Sequence, residues 1–593
     1  MKKIDHLRHE MKKNNIDCYI VPTSDHHCSE YICAAFEALK YLSGFTGSAG
    51  TLVVTANEAG LFTDGRYFVQ AERELRGTLI TLYRKGEKDI PTINEYLKKI
   101  MKKGQTLAFD GRMVPASSGL RMADELNEIG VKINYESDLI ALIWPERPLL
   151  PANKIWELSI DWTGQSTTEK ISEVRKKLNE SGNFALILNS LDDIMWLFNL
   201  RGSDIPQNPI ALSYAYVTED EAVLFIQTQI IDDDFRKVMT AKNIKIAEYH
   251  DFYEWLENLK LKKDHKILLD NEKCNYFIYE LIKEKAKPVL ALSPTTTLKA
   301  IKNETELKHI REVYLKDSIA VIKFIKWLKE NNEAVSEIDA AKKMDALRSE
   351  IPGFLDISFN TISAYGANAA IVHYQADEEN NAIIGKDGLY LIDSGGQYFG
   401  GTTDITRTIA TGEISAEMKR HFTAVARGML NLSNLTFLSG VTGRSIDIIA
   451  RKPLWDIKYD YKHGTGHGIG YMLSVHEGPQ RISMPYNEDV GEIVLEPGML
   501  ISNEPGVYKA YEYGIRLENV MAVKEIEQNE CGKFLGFYTL TLVPIDLGAI
   551  DETQLTKEDK KQLNDYHQRV YEVVSAYLND EEKKWLKKAT RAI

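Results

Sequence analysis

The sequence has no uninterrupted run of about 18 apolar residues, the length that a membrane-crossing helix requires. A transmembrane protein is therefore not expected. There is no excess of positive charge: 73 Lys and Arg against 86 Asp and Glu leave −13 at pH 7. Nucleic acid and anionic membranes attract basic surfaces, so neither is an expected partner. Cysteine is scarce, with five in 593 residues. Cys18, Cys28, Cys33, Cys274 and Cys531 are scattered, odd in number and never spaced as CxxC. That pattern excludes a disulfide scaffold and a cysteine-ligated zinc site, and it predicts reduced thiols in a cytoplasmic protein. The opening residues, MKKIDHLRHEMKKNNID, are charged throughout and lack the apolar segment of a signal peptide, so none is expected.

What is present reads as a large globular chain. Hydrophobic residues make up 44% and charged residues 27%, enough apolar surface for a sizeable core. The length predicts three or four domains. The first 300 residues carry a faint internal repeat: IDCYIVPTSD (16–25) recurs as FALILNSLDD (184–193), and YLSGFTGSAGTLVV (41–54) as WLFNLRGSDIPQNP (196–209). Each unit reads helix, apolar strand, helix, strand, strand, with Leu7/Met11 and Ile171/Val174/Leu178 as the apolar faces of the first helices. This predicts one α/β unit used twice. The proline-rich stretch WPERPLLPANK (144–154) and the segment SPTTTLKAIKNETE (293–306) mark boundaries. They predict domains at 1–153, 154–302 and 303–593. Asn303 and Glu306 have capping-box spacing, and Ile310, Val313, Ile319, Ile322 and Ile325 follow at helical spacing, so a long helix opens the third domain. Near the C-terminus Leu563, Tyr566, Val570, Val573 and Tyr577 form an apolar stripe that packs on its own domain or on a partner subunit.

Five residues of the third domain have the types and contexts of a dinuclear metal site. Asp393 and Asp404 lie in DSGGQYFGGTTDITRT (393–408), His467 in HGTGHG (463–468), Glu504 in NEPG (503–506) and Glu518 in GIRLEN (514–519). Each aspartate follows a strand-like run, where a buried carboxylate is costly without a cation. Four carboxylates and an imidazole suit two divalent ions, manganese foremost, with zinc or cobalt as alternatives. Such a pair, roughly 3.5 Å apart, can deprotonate a shared water near neutral pH and aim it at a carbonyl, so the site points to a hydrolase. In HGTGHG three glycines in six residues argue for a loop or strand rather than a helix, so one histidine can be a ligand and the other a donor to substrate. Arg516 lies two residues before Glu518, on the same face if GIRLENV is a strand, and is placed to brace a metal carboxylate.

The order Asp, Asp, His, Glu, Glu in these contexts resembles the pita-bread metallopeptidases: aminopeptidase P, prolidase and methionine aminopeptidase. The three-domain cytosolic aminopeptidase P type fits best. DHHCSEY (25–31), SGFTGSAGT (43–51) and TDGRYF (63–68) resemble its N-terminal domain. GANAAIVHY (366–374), HGTGHGIG, VHEGP (475–479) and EPGMLISNEPG (496–506) resemble its catalytic domain. The resemblance implies an α/β (α+β) chain, with two creatinase/prolidase N-terminal-like domains before a pita-bread catalytic domain. It implies that Asp393 holds one ion, that His467 and Glu504 hold the other, and that Asp404 and Glu518 bridge both. A hydroxide between the ions then attacks the Xaa-Pro bond while Glu504 shuttles a proton. His373, His463 and His476 line the substrate site, and the chain is a cytoplasmic homodimer that releases the first residue from peptides with proline second. Prolidase, cleaving Xaa-Pro dipeptides, is the nearest rival, but its usual architecture is shorter. A non-catalytic pita-bread peptide-binding protein is a more distant one, because such relatives lack the metal ligands.

Overall fold

A computed structural model describes residues 2–331, 335–485 and 491–593. The chain forms two compact units: residues up to Ile160 with Gln165–Thr297, and Asp161–Gly164 with Leu298–Ile593. Among the described residues no helix is long and apolar enough to cross a membrane.

The first unit contains two six-stranded sheets. One is built from β1 (Cys18–Pro22), β2 (Thr51–Thr55), β3 (Ala59–Thr63), β4 (Thr81–Arg84), β5 (Thr106–Ala108) and β6 (Lys132–Asn134). The other uses β7 (Ala185–Leu188), β8 (Ser213–Thr218), β9 (Ala222–Ile226), β10 (Lys245–Glu248), β11 (Lys266–Asp270) and β12 (Lys287–Ala291). The strand orders are β4-β3-β2-β1-β5-β6 and β10-β9-β8-β7-β11-β12. In each sheet the first three strands form an antiparallel meander and the outer pairings are parallel. Both sheets are preceded by a helix whose apolar stripe faces the sheet. Lys2–Lys13 buries Ile4, Leu7 and Met11. Thr167–Ser181 buries Ile171, Val174 and Leu178; it starts on a Ser166/Glu169 capping box and stops at Gly182, whose φ of +66° a side chain would disfavour.

The second unit opens with the helix Glu304–Asn331. Asn303 Oδ1 accepts from the Glu306 amide at 3.0 Å and Glu306 returns the bond to the Asn303 amide at 3.0 Å. Ile310, Val313, Ile322 and Ile325 are buried along it, while Ile319 is half-buried. The strands Ile362–Tyr365, Leu389–Ser394 and Ile405–Ala410 form an antiparallel sheet. A second sheet runs Phe437–Leu438, Gly532–Thr539, Asn519–Asn529, Leu500–Asn503. The helices Ala416–Ser433 and Gly443–Asp456 pack on each other, and Leu432, Ile446, Ala450, Ile501, Met521 and Val523 share one core.

The C-terminal stripe divides. Leu563, Tyr566 and Val570 are buried in their own unit, and the Tyr566 hydroxyl donates to the Val543 carbonyl at 2.7 Å. Val573 and Tyr577 are 37% and 61% exposed, and Val574 is buried instead. The buried set 563, 566, 570, 574 follows the helical period, whereas 573 falls on its flank and 577 lies past the helix end, in the 3-10 turn Ser575–Tyr577.

Candidate metal centre

The strand Leu389–Ser394 pairs Asp393 with Thr406 of Ile405–Ala410, and Asp404 sits one residue before that second strand. The connection reverses through Gly400 at φ +101°. Glu518 is drawn to the same place by Thr406: its amide donates to the Thr406 carbonyl at 3.0 Å, and the Thr406 hydroxyl donates to Glu518 Oε2 at 2.8 Å. Asp393, Asp404 and Glu518 thus offer oxygens that all lie within 4.8 Å of one another.

His467 and Glu504 arrive from the other side. His467 lies on the strand Gly466–Gly468, and a Cβ at Gly466 would sit 1.9 Å from the Ser502 carbonyl oxygen. Glycine therefore lets this strand press against Leu500–Asn503, whose end carries Glu504. The Glu504 amide donates to the Thr465 carbonyl at 2.8 Å and the His467 amide to Ser502 Oγ at 2.9 Å. His467 Nδ1 is 2.9 Å from the Gly468 carbonyl. A carbonyl only accepts, so Nδ1 carries the proton and Nε2 presents a lone pair. That Nε2 is 3.5 Å from Asp404 Oδ2 and 3.5 Å from Glu504 Oε1. His467, Glu504 and Glu518 form a second group of ligand atoms within 4.8 Å, so Glu518 belongs to both groups. Asp404, His467 and His476 form a third.

The donor set fits two divalent cations. Four carboxylates converge, with the guanidinium of Arg516 as their buried counter-charge, its Nη2 2.6 Å from Asp393 Oδ2. Asp393 Oδ1 and Glu518 Oε1 are buried without a hydrogen-bond partner, and a buried oxygen without a donor is costly. Burial and then the charges of Glu518, Asp393 and Glu504 push the Asp404 carboxyl well above the usual range. Burial and then Glu518 do the same to Glu504, with Arg516 opposing. Glu518 is pushed up to about 7 by burial and then Asp393, against its bond from Thr406. Such crowding is what a bound cation relieves.

The other sequence-derived candidates surround this core. Arg516 is buried, and it braces Asp393 rather than Glu518. GIRLENV is not one strand: one strand ends at Arg516 and the next begins at Asn519, leaving Leu517 and Glu518 between them. Arg516 Nη2 also lies 3.3 Å from the carbonyl of Val372, the residue before His373. His476 stands edge-on to His467 with ring centroids 4.4 Å apart. HGTGHG is not helical; only 466–468 is strand. His463 Nδ1 donates to the Gly464 carbonyl at 2.8 Å, so Nε2 accepts from the Tyr508 hydroxyl at 2.9 Å. The same hydroxyl accepts from Arg516 Nη1 at 2.8 Å. Tyr508 therefore connects His463, through Arg516, to Asp393. It was missed in the sequence; its only mark there is a position two residues after the Pro505-Gly506 turn.

Comparison with known proteins agrees with this geometry. Residues 308–525 match metallopeptidase family M24. The chain belongs to that family. Residues 533–593 match its C-terminal region, and 3–134 and 146–306 each match the creatinase/prolidase N-terminal domain. This M24 chain is 39% identical to a probable Xaa-Pro aminopeptidase P of Coprinopsis cinerea, across 100% of its own length and 98% of the relative's. It superposes with a TM-score of 0.95 and 35% identity on the X-prolyl aminopeptidase of Caenorhabditis elegans, described as a cytosolic enzyme with a di-nuclear active site, covering 100% and 99% of the two chains. The prolidase of Pyrococcus horikoshii gives a TM-score of 0.50 at 26% identity and accounts for 64% of this chain against 99% of its own. Both N-terminal domains and the pita-bread catalytic domain are thus those of the aminopeptidase P type.

Proposed function

We propose that this chain is a metal-dependent aminopeptidase that releases the first residue from peptides carrying proline second. The observation that carries the reading is the sharing of Glu518 between two ligand groups. Asp393 would hold one ion and His467 with Glu504 the other, with Asp404 and Glu518 placed to contribute to both. Manganese is the preferred ion, since oxygen ligands outnumber the single imidazole. When bound, the two ions supply an activated water and polarise the scissile carbonyl.

The protein residues do the rest. Glu504, partly open to solvent, takes a proton at its carboxylate and returns it to the departing proline nitrogen. His373, His463 and His476 line the approach, and an imidazole donor to the developing oxyanion contributes about 2.7–4 kcal/mol, by analogy with other oxyanion donors. An open metal position or the Asp393 carboxylate takes the substrate's free amine, which fixes the register of cleavage. Proline second removes the amide hydrogen and fixes φ, and a pocket walled by imidazoles accepts the ring.

Cytoplasmic location is supported by the scattered cysteines, all free, and by the cytosolic nematode relative. A homodimer through the catalytic unit is supported by the exposed pair Val573 and Tyr577. The test of the metal assignment is reconstitution. Chelator-stripped protein should regain Xaa-Pro-Xaa hydrolysis on adding manganese, saturating at two ions per chain. Full activity at one ion, or activity retained after stripping, contradicts it.

A further inference from the structure

The helix Gly443–Asp456 carries a buried arginine that touches none of the metal ligands' side chains, yet is wrapped by the segment leading to them. Arg451 Nη2 donates to the His463 carbonyl at 2.9 Å. Its Nη1 donates to the Tyr461 carbonyl at 2.7 Å and to Asp460 Oδ1 at 2.7 Å. Its Nε donates to Asp447 Oδ2 at 2.5 Å, one helical turn back. Asp447 Oδ1 in turn receives the Thr465 hydroxyl at 2.5 Å. The 460–465 arc is therefore tied to a single ion pair at four of its six residues, 460, 461, 463 and 465.

The rings repeat the pattern. The guanidinium lies 3.9 Å from the centroid of Tyr461, and that ring lies 4.8 Å, centroid to centroid, from His463, tilted by 36°. Tyr461 is buried, and its hydroxyl meets Thr465 Oγ1 at 2.5 Å. The Thr465 carbonyl then accepts the Glu504 amide. A planar fork is suited to this: it makes several in-plane bonds while its face covers an aromatic ring, which a lysine cannot do.

We propose that Arg451, held by Asp447, is a positioning residue for His463. It sets the imidazole both through the main chain, by gripping the His463 carbonyl, and through the side chain, by fixing the Tyr461 ring on which His463 rests. Burial of a charged pair is weak as a source of stability, because desolvation offsets most of the attraction. Its value here lies in defining one geometry for a residue whose displacement by about 1 Å can cost 10²-fold in rate. The inference rests on the proposed role of His463 at the substrate.

The test is a double-mutant cycle on the full chain, with Xaa-Pro-Xaa hydrolysis by the manganese-loaded protein as one readout and the NMR signal of 13Cε1-labelled His463 in the diamagnetic zinc-loaded protein as the other. Arg451→Lys keeps the charge and loses the fork. It should lower kcat by about 10–100-fold with KM and metal content little changed. In a His463→Ala background the same substitution should cost no more than about twofold, because the group it positions is gone. Tyr461→Leu is the second variant, in case Arg451→Lys does not fold; its loss should be masked by His463→Ala in the same way. Both single variants should shift the His463 signal. Additive losses, or a His463 signal that stays put in the folded variants, overturn the proposal. A wild-type chain that fails to cleave Xaa-Pro-Xaa while Arg451→Lys still moves the His463 signal removes the proposed function and leaves the positioning role standing.

Discussion

Arg516 and Asp393, 123 residues apart in the chain, meet at 2.6 Å inside the metal centre. The pair sets one boundary of the site: the arginine holds one oxygen of Asp393 and leaves Oδ1 without a protein partner. The same side chain reaches Tyr508 and the carbonyl before His373. Arg516→Lys should therefore act on geometry more than on charge. A fall of about 10–100-fold in kcat/KM is expected, with the fold retained by circular dichroism. Unchanged turnover would place the bracing elsewhere.

Asp404→Ala removes an oxygen from two of the three ligand groups. Activity should vanish, and elemental analysis should fall from two ions per chain to one or fewer. His476→Ala should lower turnover with metal content nearly unchanged. If His476→Ala instead strips an ion, the group Asp404, His467, His476 is the operative one.

Metal uptake should release protons. Asp404 and Glu504 are held well above the ordinary carboxyl range, and Glu518 is pushed up to about 7. The metal-free site is therefore partly protonated near neutrality, and each ion must displace protons to bind. Apparent affinity should rise from pH 6 to 8, and proton release should shrink as the pH passes above 7. Titration calorimetry in buffers of different ionisation enthalpy measures this; binding enthalpies independent of the buffer would contradict it.

The fold was legible where periodicity is strong. The capped helix at 304 and the apolar faces Leu7/Met11 and Ile171/Val174/Leu178 lie where their spacing puts them. The five candidate ligands, which the fold brings together, were legible because each sits in a short glycine-, proline- or threonine-marked context. The break between strands at Leu517–Glu518 was not, because alternation in GIRLENV is compatible with one strand or two. Tyr508 and Arg451 were also missed. Tyr508 is marked only by its place after the Pro505-Gly506 turn and Arg451 by nothing local, and what singles them out is their contact with His463, 45 and 12 residues away.

His567 gives a pH prediction remote from the metals. It is buried, its Nε2 accepts the Ile545 amide at 3.0 Å, and burial, followed by Arg407 and Arg591, lowers it to about 3. The unfolded chain takes up this proton near pH 6.5 and the folded chain only near 3, so stability is lost as the pH falls through that window. The loss is about 1.4 kcal/mol at pH 5.5. Melting temperatures between pH 7.5 and 5.5 should fall less for His567→Gln than for wild type; equal slopes would exclude this histidine as a source.

The central claim is proline-directed removal of the first residue, and one substrate panel tests it most directly. The manganese-loaded chain should be given Xaa-Pro-Xaa, Xaa-Ala-Xaa, N-acetylated Xaa-Pro-Xaa and Xaa-Pro under the same conditions. Residues after proline add binding energy usable in the transition state, so the tripeptide should exceed the dipeptide. Blocking the amine should abolish cleavage, and alanine second should lower kcat/KM by at least 10-fold, a loss of about 1.4 kcal/mol of transition-state binding. Equal kcat/KM for Xaa-Ala-Xaa and Xaa-Pro-Xaa, or comparable cleavage of the acetylated peptide, contradicts the account, and a strong preference for the dipeptide moves the chain to the prolidases.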